Sequence, residues 1–163
     1  MTLPEAAQRV IAAGSRLGIM VDMHHFPEGT KTSQDAANAI GCDLAAIAKS
    51  IVLTLDDREQ VVVFASGDTR IDLDRLATAA GATRARRATL EEARDATGFA
   101  AGGTPPFGYP HPIRVFADRA LQRHDLVWSA GGTPTTVFPV RLEELVRAAG
   151  AVWVEVGQST VDS

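Results

Sequence analysis

Residues 49–66 read KSIVLTLDDREQVVVFAS. Two nearly continuous apolar runs flank the short polar segment DDRE at 56–59. Apolar runs of this length on either side of a turn predict two core strands, 49–55 and 60–66, that pair as a hairpin. We therefore expect this hairpin to belong to the main sheet of the protein.

Outside the hairpin, helical and extended segments alternate. Helices are predicted from Thr2 to about Leu17, from Thr32 or Ser33 to about Gly41, from Asp72 to Gly81, from Thr89 to Gly98, and over 140–149. Thr2 with Glu5 and Thr89 with Glu92 have the spacing of capping boxes, and Pro4 falls in the first helical turn. Further extended segments are predicted at 19–26, 83–88, 113–118, 126–130, 136–138 and 151–156.

Strands joined by both hairpins and helices imply a mixed sheet in an α/β (α+β) fold. The chain has 163 residues, and no linker separates two candidate cores. We therefore expect a single domain over 1–163.

The composition narrows the classes of function. The net charge of −4 argues against a broad nucleic-acid-binding surface, although it leaves room for a site that contacts only one end of an RNA. With one cysteine, Cys42, the chain cannot form an internal disulfide, which suits a reducing compartment. No signal-peptide pattern or apolar run of about 20 residues is present, so we expect a cytoplasmic protein without a membrane partner.

Glycine and proline are concentrated in TGFAAGGTPPFGYPHP, residues 97–112. This segment lies between a predicted helix and a predicted strand, so it belongs inside the domain. It matches neither a phosphate-binding P-loop nor a dinucleotide fingerprint. Glycines allow a backbone to approach a ligand closely, and prolines stiffen it. The segment is either a structural turn or a loop whose Gly102, Gly103 and Thr104 N–H groups stabilise an oxyanion.

Two further features are open to more than one interpretation. The second Gly/Pro turn, SAGGTPTTVF at 129–138, is either a hairpin loop or the other wall of one cleft. Lys49 heads an apolar strand, where its ammonium either reaches water or serves as a fixed cation for a phosphate, carboxylate or polarised carbonyl.

Other reactive side chains give weaker signals. No histidine or cysteine spacing fits a zinc site, no cofactor motif is present, and no GxSxG nucleophile elbow occurs. Cys42 is interpreted as a small core residue, and His24 is the histidine nearest the expected cleft. A locally basic run is either a solvated face balanced by Glu91 and Glu92 or a resting place for an RNA backbone. It contains Arg84, Arg86, Arg87 and Arg94.

Three stretches, in this order and spacing, resemble the YbaK/EbsC family, which includes the editing (INS) domain of bacterial prolyl-tRNA synthetases and its free-standing relatives. They are AIGCDLAAIAKSIVL at 39–53, TGFAAGGTPPFG at 97–108 and LVWSAGGTPTTVF at 126–138. The resemblance extends from about Gly18 to Val156. It implies a curved mixed sheet flanked by helices and an aminoacyl-tRNA deacylase that acts in trans on a mischarged tRNA. It also implies no cofactor and no protein nucleophile.

The resemblance also implies a site. Lys49 matches the functional lysine of the family, and Gly102 and Gly103 match its glycine loop, so these three are the expected catalytic residues. The expected substrate-binding residues are Phe26, Ser50, Thr104, Pro105, Phe107, Gly108, Ser129, Gly131, Gly132 and Thr133. Some relatives carry an ionisable side chain near the third stretch. This chain has Thr133, Thr135 and Thr136 there, which favours a small aminoacyl group.

Two alternatives to the deacylase are a non-catalytic module that binds an aminoacylated tRNA end or a small nucleotide, and a hydrolase of small esters or amides. Whether an aminoacyl-tRNA synthetase delivers the tRNA is left open by the sequence.

Overall fold

The computed structural model describes residues 2–158 of the chain. Its α-helices are α1 Glu5–Arg16, α2 Ser33–Ile40, α3 Leu73–Ala80, α4 Leu90–Thr97 and α5 Leu142–Ala149. Its strands are β1 His24–His25, β2 Ala48–Leu55, β3 Glu59–Ser66, β4 Ala85–Arg87, β5 Val115–Asp118, β6 Leu126–Ala130, β7 Thr136–Arg141 and β8 Val152–Val154. Short 3₁₀ turns cover Leu44–Ala46 and Arg119–Arg123.

The predicted hairpin is confirmed as β2 and β3, which pair antiparallel from Ala48 opposite Ser66 to Leu55 opposite Glu59. At its turn Asp56 and Asp57 have φ of 51° and 58°, and the Arg58 N–H donates to the Leu55 carbonyl at 3.0 Å. Positive φ at both central residues is the geometry whose twist matches a hairpin, and aspartate tolerates it better than most residues.

The strands form two sheets, and the prediction of a mixed α/β fold is confirmed. The larger sheet has the order β4-β2-β3-β5-β8, with antiparallel pairs around β2 and parallel pairs at β5. The smaller sheet has the order β1-β7-β6. Between the two sheets the described residues form one bridge, Ile47 with Trp128, and no β2–β6 ladder continues from it within these residues. A wedge therefore opens between the edges of the two sheets.

The hairpin is buried on both of its faces. Ala48, Val52 and Phe64 face a core that includes residues of α1, α4 and α5. Ile51, Leu53 and Val63 face the opposite way, into a second core closed by α3. Successive side chains of a strand alternate between faces, so residues 49 and 50 of β2 also point to opposite sides. Within residues 2–158 no helix is long and apolar enough to cross a membrane.

Helix signals in the sequence were mostly sound. The Thr89–Glu92 capping box is present, and Thr32 and Asp72 cap α2 and α3. The Thr2–Glu5 capping box is wrong, because Pro4 is extended at φ −54° and ψ 150° and is itself the N-cap, which leaves Thr2 too far upstream.

Two strand boundaries also differ from the prediction. The segment 19–26 contributes only His24–His25 as a strand, because Ile19 and Val21 pack back on α1 around Gly14 instead of entering a sheet. Residues 140 and 141, predicted as helix, pair with β6 as the end of β7, so α5 begins at Leu142.

Candidate active site

A cavity of about 360 Å³ occupies the wedge between the sheets. One wall is the edge of β2 over residues 47–52, and another is β6 over residues 128–130. Because β4 pairs only with Leu53–Leu55, the first half of β2 has no strand partner on this side in the part of the chain that the structure describes. The loop 30–33 and the segment 101–104 close the remaining sides.

The open edge of β2 presents main-chain groups to the cavity. In an antiparallel ladder the N–H and C=O of successive residues point alternately to the two sides. Ile47 accepts from Gly67 on the β3 side at 2.8 Å, and Val52 accepts from Ala88 on the other side at 3.1 Å. The alternation therefore points the N–H and C=O of Ser50 away from β3, toward the cavity.

Two buried hydroxyl groups also line the cavity. Ser50 Oγ on β2 and Ser129 Oγ on β6 are inaccessible to solvent and have no hydrogen-bond partner within residues 2–158. Ser129 as a whole is 1% exposed. Most buried polar side-chain atoms are hydrogen-bonded, so two unpartnered hydroxyls on facing strands indicate a place for a polar ligand.

The segment 100–109, called the glycine loop below, presents backbone to the same cavity. Gly102 and Thr104 line it, and their N–H groups donate to no other group in the described part of the chain. The Gly103 N–H is already used, since it donates to the Ala100 carbonyl at 3.3 Å. Of the three predicted amide donors, the structure thus leaves two free.

Gly103 has to be a glycine for a steric reason. A Cβ at this position would lie 2.5–2.7 Å from three backbone atoms of Thr133, so only glycine lets the two Gly/Pro turns touch. Gly102 has φ of +87°, and a Cβ there would meet the flexible Lys31 side chain at 2.9 Å.

The rest of the glycine loop is anchored behind the cavity. The Tyr109 hydroxyl donates to the Pro105 carbonyl at 2.6 Å, and burial raises the pKa of this phenol, which keeps it protonated as a donor. Phe107 is 3% exposed in the core against Phe138, and Gly108 lies on Ala13 of α1. Pro105, Phe107 and Gly108 therefore hold the loop from behind and do not line the cavity.

The second turn also lies behind the lining. A Cβ at Gly131 would collide with the Met23 sulfur, and one at Gly132 would lie 2.9 Å from the Ala6 carbonyl oxygen of α1. Thr133 shares its hydroxyl with those of Thr136 and Thr135, at 2.7 and 3.2 Å.

Phe26 forms a second layer as well. Its N–H donates to the Thr135 carbonyl at 2.7 Å, and its ring packs on a cluster that includes Ala36, Ile47 and Val137. Those three residues line the cavity directly. Phe26 therefore supports an apolar part of the wall without belonging to it.

The charged side chains that the described residues place in the lining are all cations: Lys31, Lys49 and Arg87. Lys49 is half-buried on the face of β2 opposite Ser50, and its Nζ donates to the Thr69 carbonyl at 2.6 Å. Burial lowers the pKa of Lys49, Arg87 and Arg70 lower it further, and Asp68 opposes them. A protein with a net charge of −4 thus carries a locally positive cavity.

No carboxylate, imidazole or thiol occurs in this lining, as far as residues 2–158 form it. His24 lies edge-on to Trp128 at 5.0 Å between ring centres, outside the cavity. Cys42 packs behind Ala36, and burial raises the pKa of its thiol, which disfavours the thiolate. Residues 2–158 also contain no group of three or more His, Cys, Asp or Glu side chains arranged to hold a metal ion.

Sequence reasoning missed part of this wall. Lys31, Trp128 and the loop 30–33 line the cavity without having been singled out. Arg87 was noticed only as a member of the basic run. Its neighbours Arg84 and Arg86 pair with Asp57 and Glu92, whereas Arg87 makes no ion pair with a described residue.

Comparison with known proteins identifies the family of this chain. Residues 27–148 match the family model described as "Aminoacyl-tRNA editing domain". The chain belongs to the aminoacyl-tRNA editing family, of the YbaK/EbsC type that its motifs indicated. Like other editing domains of this family, it is a mixed α/β domain.

Three relatives illustrate the range of the family. The Bacillus subtilis (strain 168) protein "Uncharacterized protein YwhH" is 30% identical over 83% of this chain and 86% of its own. The Enterococcus faecalis protein named "Putative Cys-tRNA(Pro)/Cys-tRNA(Cys) deacylase EbsC" is 26% identical over 69% and 74%. A "putative trans-editing enzyme for prolyl tRNA synthetase" of known crystal structure superimposes with a TM-score of 0.90 at 33% identity, over 97% of this chain and 100% of the other.

Proposed function

We propose that this editing domain is a deacylase that acts in trans and hydrolyses the ester bond between a wrong amino acid and the 3′ end of a tRNA. The observation that carries the proposal is the cavity at the wedge, where unpartnered backbone and hydroxyl groups surround a space whose charged lining is cationic. Ester hydrolysis develops negative charge on the carbonyl oxygen, and donors fixed before the reaction stabilise that charge.

In this mechanism the ester carbonyl lies between the glycine loop and the open edge of β2. The N–H groups of Gly102 and Thr104 donate to the carbonyl oxygen as it becomes an oxyanion. In other enzymes, loss of one such donor raises the barrier by about 3–4 kcal/mol. Because Tyr109 and the two prolines hold the loop, the donors need little reorganisation during the reaction.

The nucleophile in this mechanism is water or a group on the substrate, with no covalent enzyme intermediate. When water attacks, its oxygen bonds to the carbonyl carbon, the bond from that carbon to the ribose oxygen breaks, and the proton that the water gives up passes to the ribose oxygen. When a substrate group attacks, it passes its proton to the ribose oxygen in the same way, and water then hydrolyses the cyclic product. The absence of a carboxylate, imidazole or thiol from the described lining supports this assignment. The Ser50 and Ser129 hydroxyls then hold the polar groups next to the ester.

Lys49 serves the tRNA side of the substrate. Its side chain lies on the face of β2 opposite Ser50, and its Nζ donates to the Thr69 carbonyl at 2.6 Å and to the Gly67 carbonyl at 3.5 Å, which leaves one of its three donors. An ammonium held in this way at the mouth of the cavity is suited to the phosphate of the terminal nucleotide. The aminoacyl side chain faces Ala36, Ile47 and Val137, where the limited volume favours a small group, with about 1–3 kcal/mol of discrimination per methylene.

The test is a deacylation panel with purified protein and alanyl-, seryl-, threonyl- and cysteinyl-tRNA. We expect rapid loss of one species and at least about a tenfold lower kcat/KM for Lys49→Ala, since one charge-assisted hydrogen bond contributes about 1.5–3 kcal/mol. Arg58→Ala removes an exposed cation at the far end of the β2–β3 hairpin and should leave the rate unchanged. Intact esters retained by folded protein would support the binding module, and equal rates on an aminoacyl ester without a nucleotide would support the small-ester hydrolase.

A further inference from the structure

A second concavity meets the cavity at the open edge of β2. This outer groove of about 900 Å³ lies on the other face of the larger sheet and is lined by Lys49, Ile51, residues 67–74, Ala85, Arg87 and Gln158. Lys49, Ile51 and Arg87 line both spaces. A ligand that leaves the cavity at this edge therefore enters the outer groove.

Two cations, Lys49 and Arg87, lie where the two spaces meet, and a third, Arg70, lies in the outer groove. Lys49, Arg70 and Arg87 all line the outer groove, and the two arginines are close enough to lower the pKa of the Lys49 ammonium. Neither arginine forms an ion pair with a residue in the range 2–158. Like charges held near one another repel, so an anion in the groove would stabilise the arrangement.

The acidic residues of the groove are mostly engaged elsewhere. Arg123 binds both oxygens of Asp68, at 2.7 and 3.1 Å. The Asp72 carboxylate accepts from the Arg75 N–H as the cap of α3 and lies 3.8 Å from the Arg75 side chain. Asp74 remains as one acid with no such partner against three cations. When the arginine partners of Asp68 and Asp72 are counted with the lining, five cations stand against three acids, so the local balance is positive.

We propose that the outer groove receives the single-stranded 3′ end of an RNA as it leaves the cavity, with Arg87 and Arg70 pairing with successive backbone phosphates beyond the one held by Lys49. The proposal rests on the proposed function, since it takes the cavity to hold the terminal nucleotide. It assigns RNA contact to Arg87 of the basic run and to Arg70, and denies it to Arg84, whose guanidinium is paired with Asp57 at 3.3 Å.

The test measures binding of an uncharged RNA hairpin that carries a short single-stranded 3′ overhang, by fluorescence anisotropy between about 50 and 200 mM salt. Each phosphate contact on a single strand contributes about 0.7 to the slope of log K against log salt. Arg87→Gln and Arg70→Gln should each lower that slope by about 0.7 and weaken binding several-fold at the lowest salt. Arg84→Gln, the matched control, should bind as the unchanged protein does.

Three results would overturn the proposal: no binding by the unchanged protein, unaltered slopes in both arginine variants, or an equal loss in Arg84→Gln. A blunt-ended hairpin that binds as well as the overhang would also count against it. Circular dichroism melts of each variant show whether a loss of binding reflects a loss of fold.

Turnover separates this proposal from the deacylase proposal. On the charged tRNA, Arg70→Gln should raise KM with little change in kcat, and on aminoacyl-adenosine it should leave kcat/KM unchanged. If the unchanged protein deacylates tRNA and neither arginine matters, the groove proposal fails and the deacylase stands. If no ester is hydrolysed while RNA binding depends on Arg70 and Arg87, the deacylase fails and the groove stands.

Discussion

The chain contains the sequence Gly-Gly-Thr-Pro twice, at 102–105 and at 131–134, and the two copies differ in what they contact. In the first turn the left-handed residue is the first glycine, Gly102 at φ +87°. In the second turn it is the second glycine, Gly132 at φ +98°. Because of this shift by one residue, the backbone leaves the two turns in different directions. The first turn lines the cavity with Gly102 and Thr104, whose N–H groups are unpartnered in the described structure, and the second packs against α1.

Hydrogen bonding within each turn matches this division. In the second turn Thr133, Thr135 and Thr136 satisfy one another through their hydroxyls, which leaves few groups for a ligand. In the first turn Gly102 and Thr104 keep their N–H groups free in the described structure. The turns touch where Gly103 lies on the backbone of Thr133. The second turn therefore acts as the support against which the first is positioned.

The largest expected effect follows from breaking that contact. In Gly103→Ala the new methyl would lie within 2.7 Å of three Thr133 backbone atoms, which cannot swing aside as a side chain can. We expect a loss of about 3 kcal/mol in the free energy of unfolding, measured by urea denaturation, and loss of deacylation.

Gly41→Ala is the comparison for this variant, since Gly41 ends α2 at φ +82°, which Gly103 does not share, and has open space around its Cβ direction. It should lower the free energy of unfolding by about 1 kcal/mol, which is the strain of an alanine in the left-handed conformation alone. Equal costs in the two variants would show that the turns do not depend on each other.

The next prediction compares the left-handed glycine of the first turn, Gly102, with that of the second turn, Gly132. In Gly102→Ala the new methyl meets only the Lys31 side chain, so the free energy of unfolding should fall by about 1–2 kcal/mol. The strained loop should also change the direction of its N–H groups. We expect kcat to fall at least about tenfold, within the range seen for a lost oxyanion donor. Gly132→Ala meets the Ala6 backbone oxygen and should lose more stability, with kcat retained in the folded fraction. If Gly132→Ala lowered kcat and Gly102→Ala lowered mainly stability, the functions assigned to the two turns would be reversed.

A smaller effect tests the unpartnered hydroxyls. Ser129→Ala removes a buried hydroxyl that has no partner in the described structure, so stability should change by less than about 1 kcal/mol. If substrate uses this hydroxyl, kcat/KM falls by about tenfold, the equivalent of one hydrogen bond. Ser66→Ala is the matched control, because Ser66 Oγ is equally buried and unpartnered but does not line the cavity. Identical activity in both variants would remove Ser129 from the site.

The smallest effect concerns α4, which leads into the first turn and has no counterpart before the second. The Arg86 guanidinium, together with the Thr89 N–H, lowers the pKa of Glu92 to about 2. The unfolded carboxyl titrates near pH 4.3, so its stabilisation is complete above about pH 4.3 and is lost as the pH falls toward about 2. Thermal melts of Glu92→Gln should therefore show a shallower decline over this interval than melts of the unchanged protein. Parallel declines would mean that Glu92 does not stabilise α4.

Local features of the fold were predictable from the sequence because they depend on neighbouring residues. The hairpin follows from its two apolar runs, and the Thr89–Glu92 cap follows from side chains three residues apart. The failure at Thr2 is also local, since the extended backbone of Pro4 decides where the helix begins.

The geometry of the site could not be predicted in the same way, because it depends on contacts between distant segments. The wedge requires the bridge of Ile47 with Trp128, and the free amide of Ser50 depends on how far β4 extends along β2. The family motif brought together Gly102 and Phe107, but only packing separates a residue that lines the cavity from one that lies in the core behind it. Whether Lys49, the glycine loop and the remaining predicted residues bind substrate stays a prediction for the experiments above.

Within residues 2–158 one bridge, Ile47 with Trp128, joins the two sheets, and this has a consequence for how the domain can change over time. Since the larger sheet holds its own hydrogen bonds, a small rotation of β6 and β7 about that joint would widen or narrow the cleft without breaking a strand pair of the β2–β3 hairpin. Substitutions along the smaller sheet would therefore act on the size of the accepted group, and their cost in stability would be smallest at its less buried positions and largest at core residues such as Val127 and Phe138. A lineage of such domains can diversify in substrate while its framework stays constant.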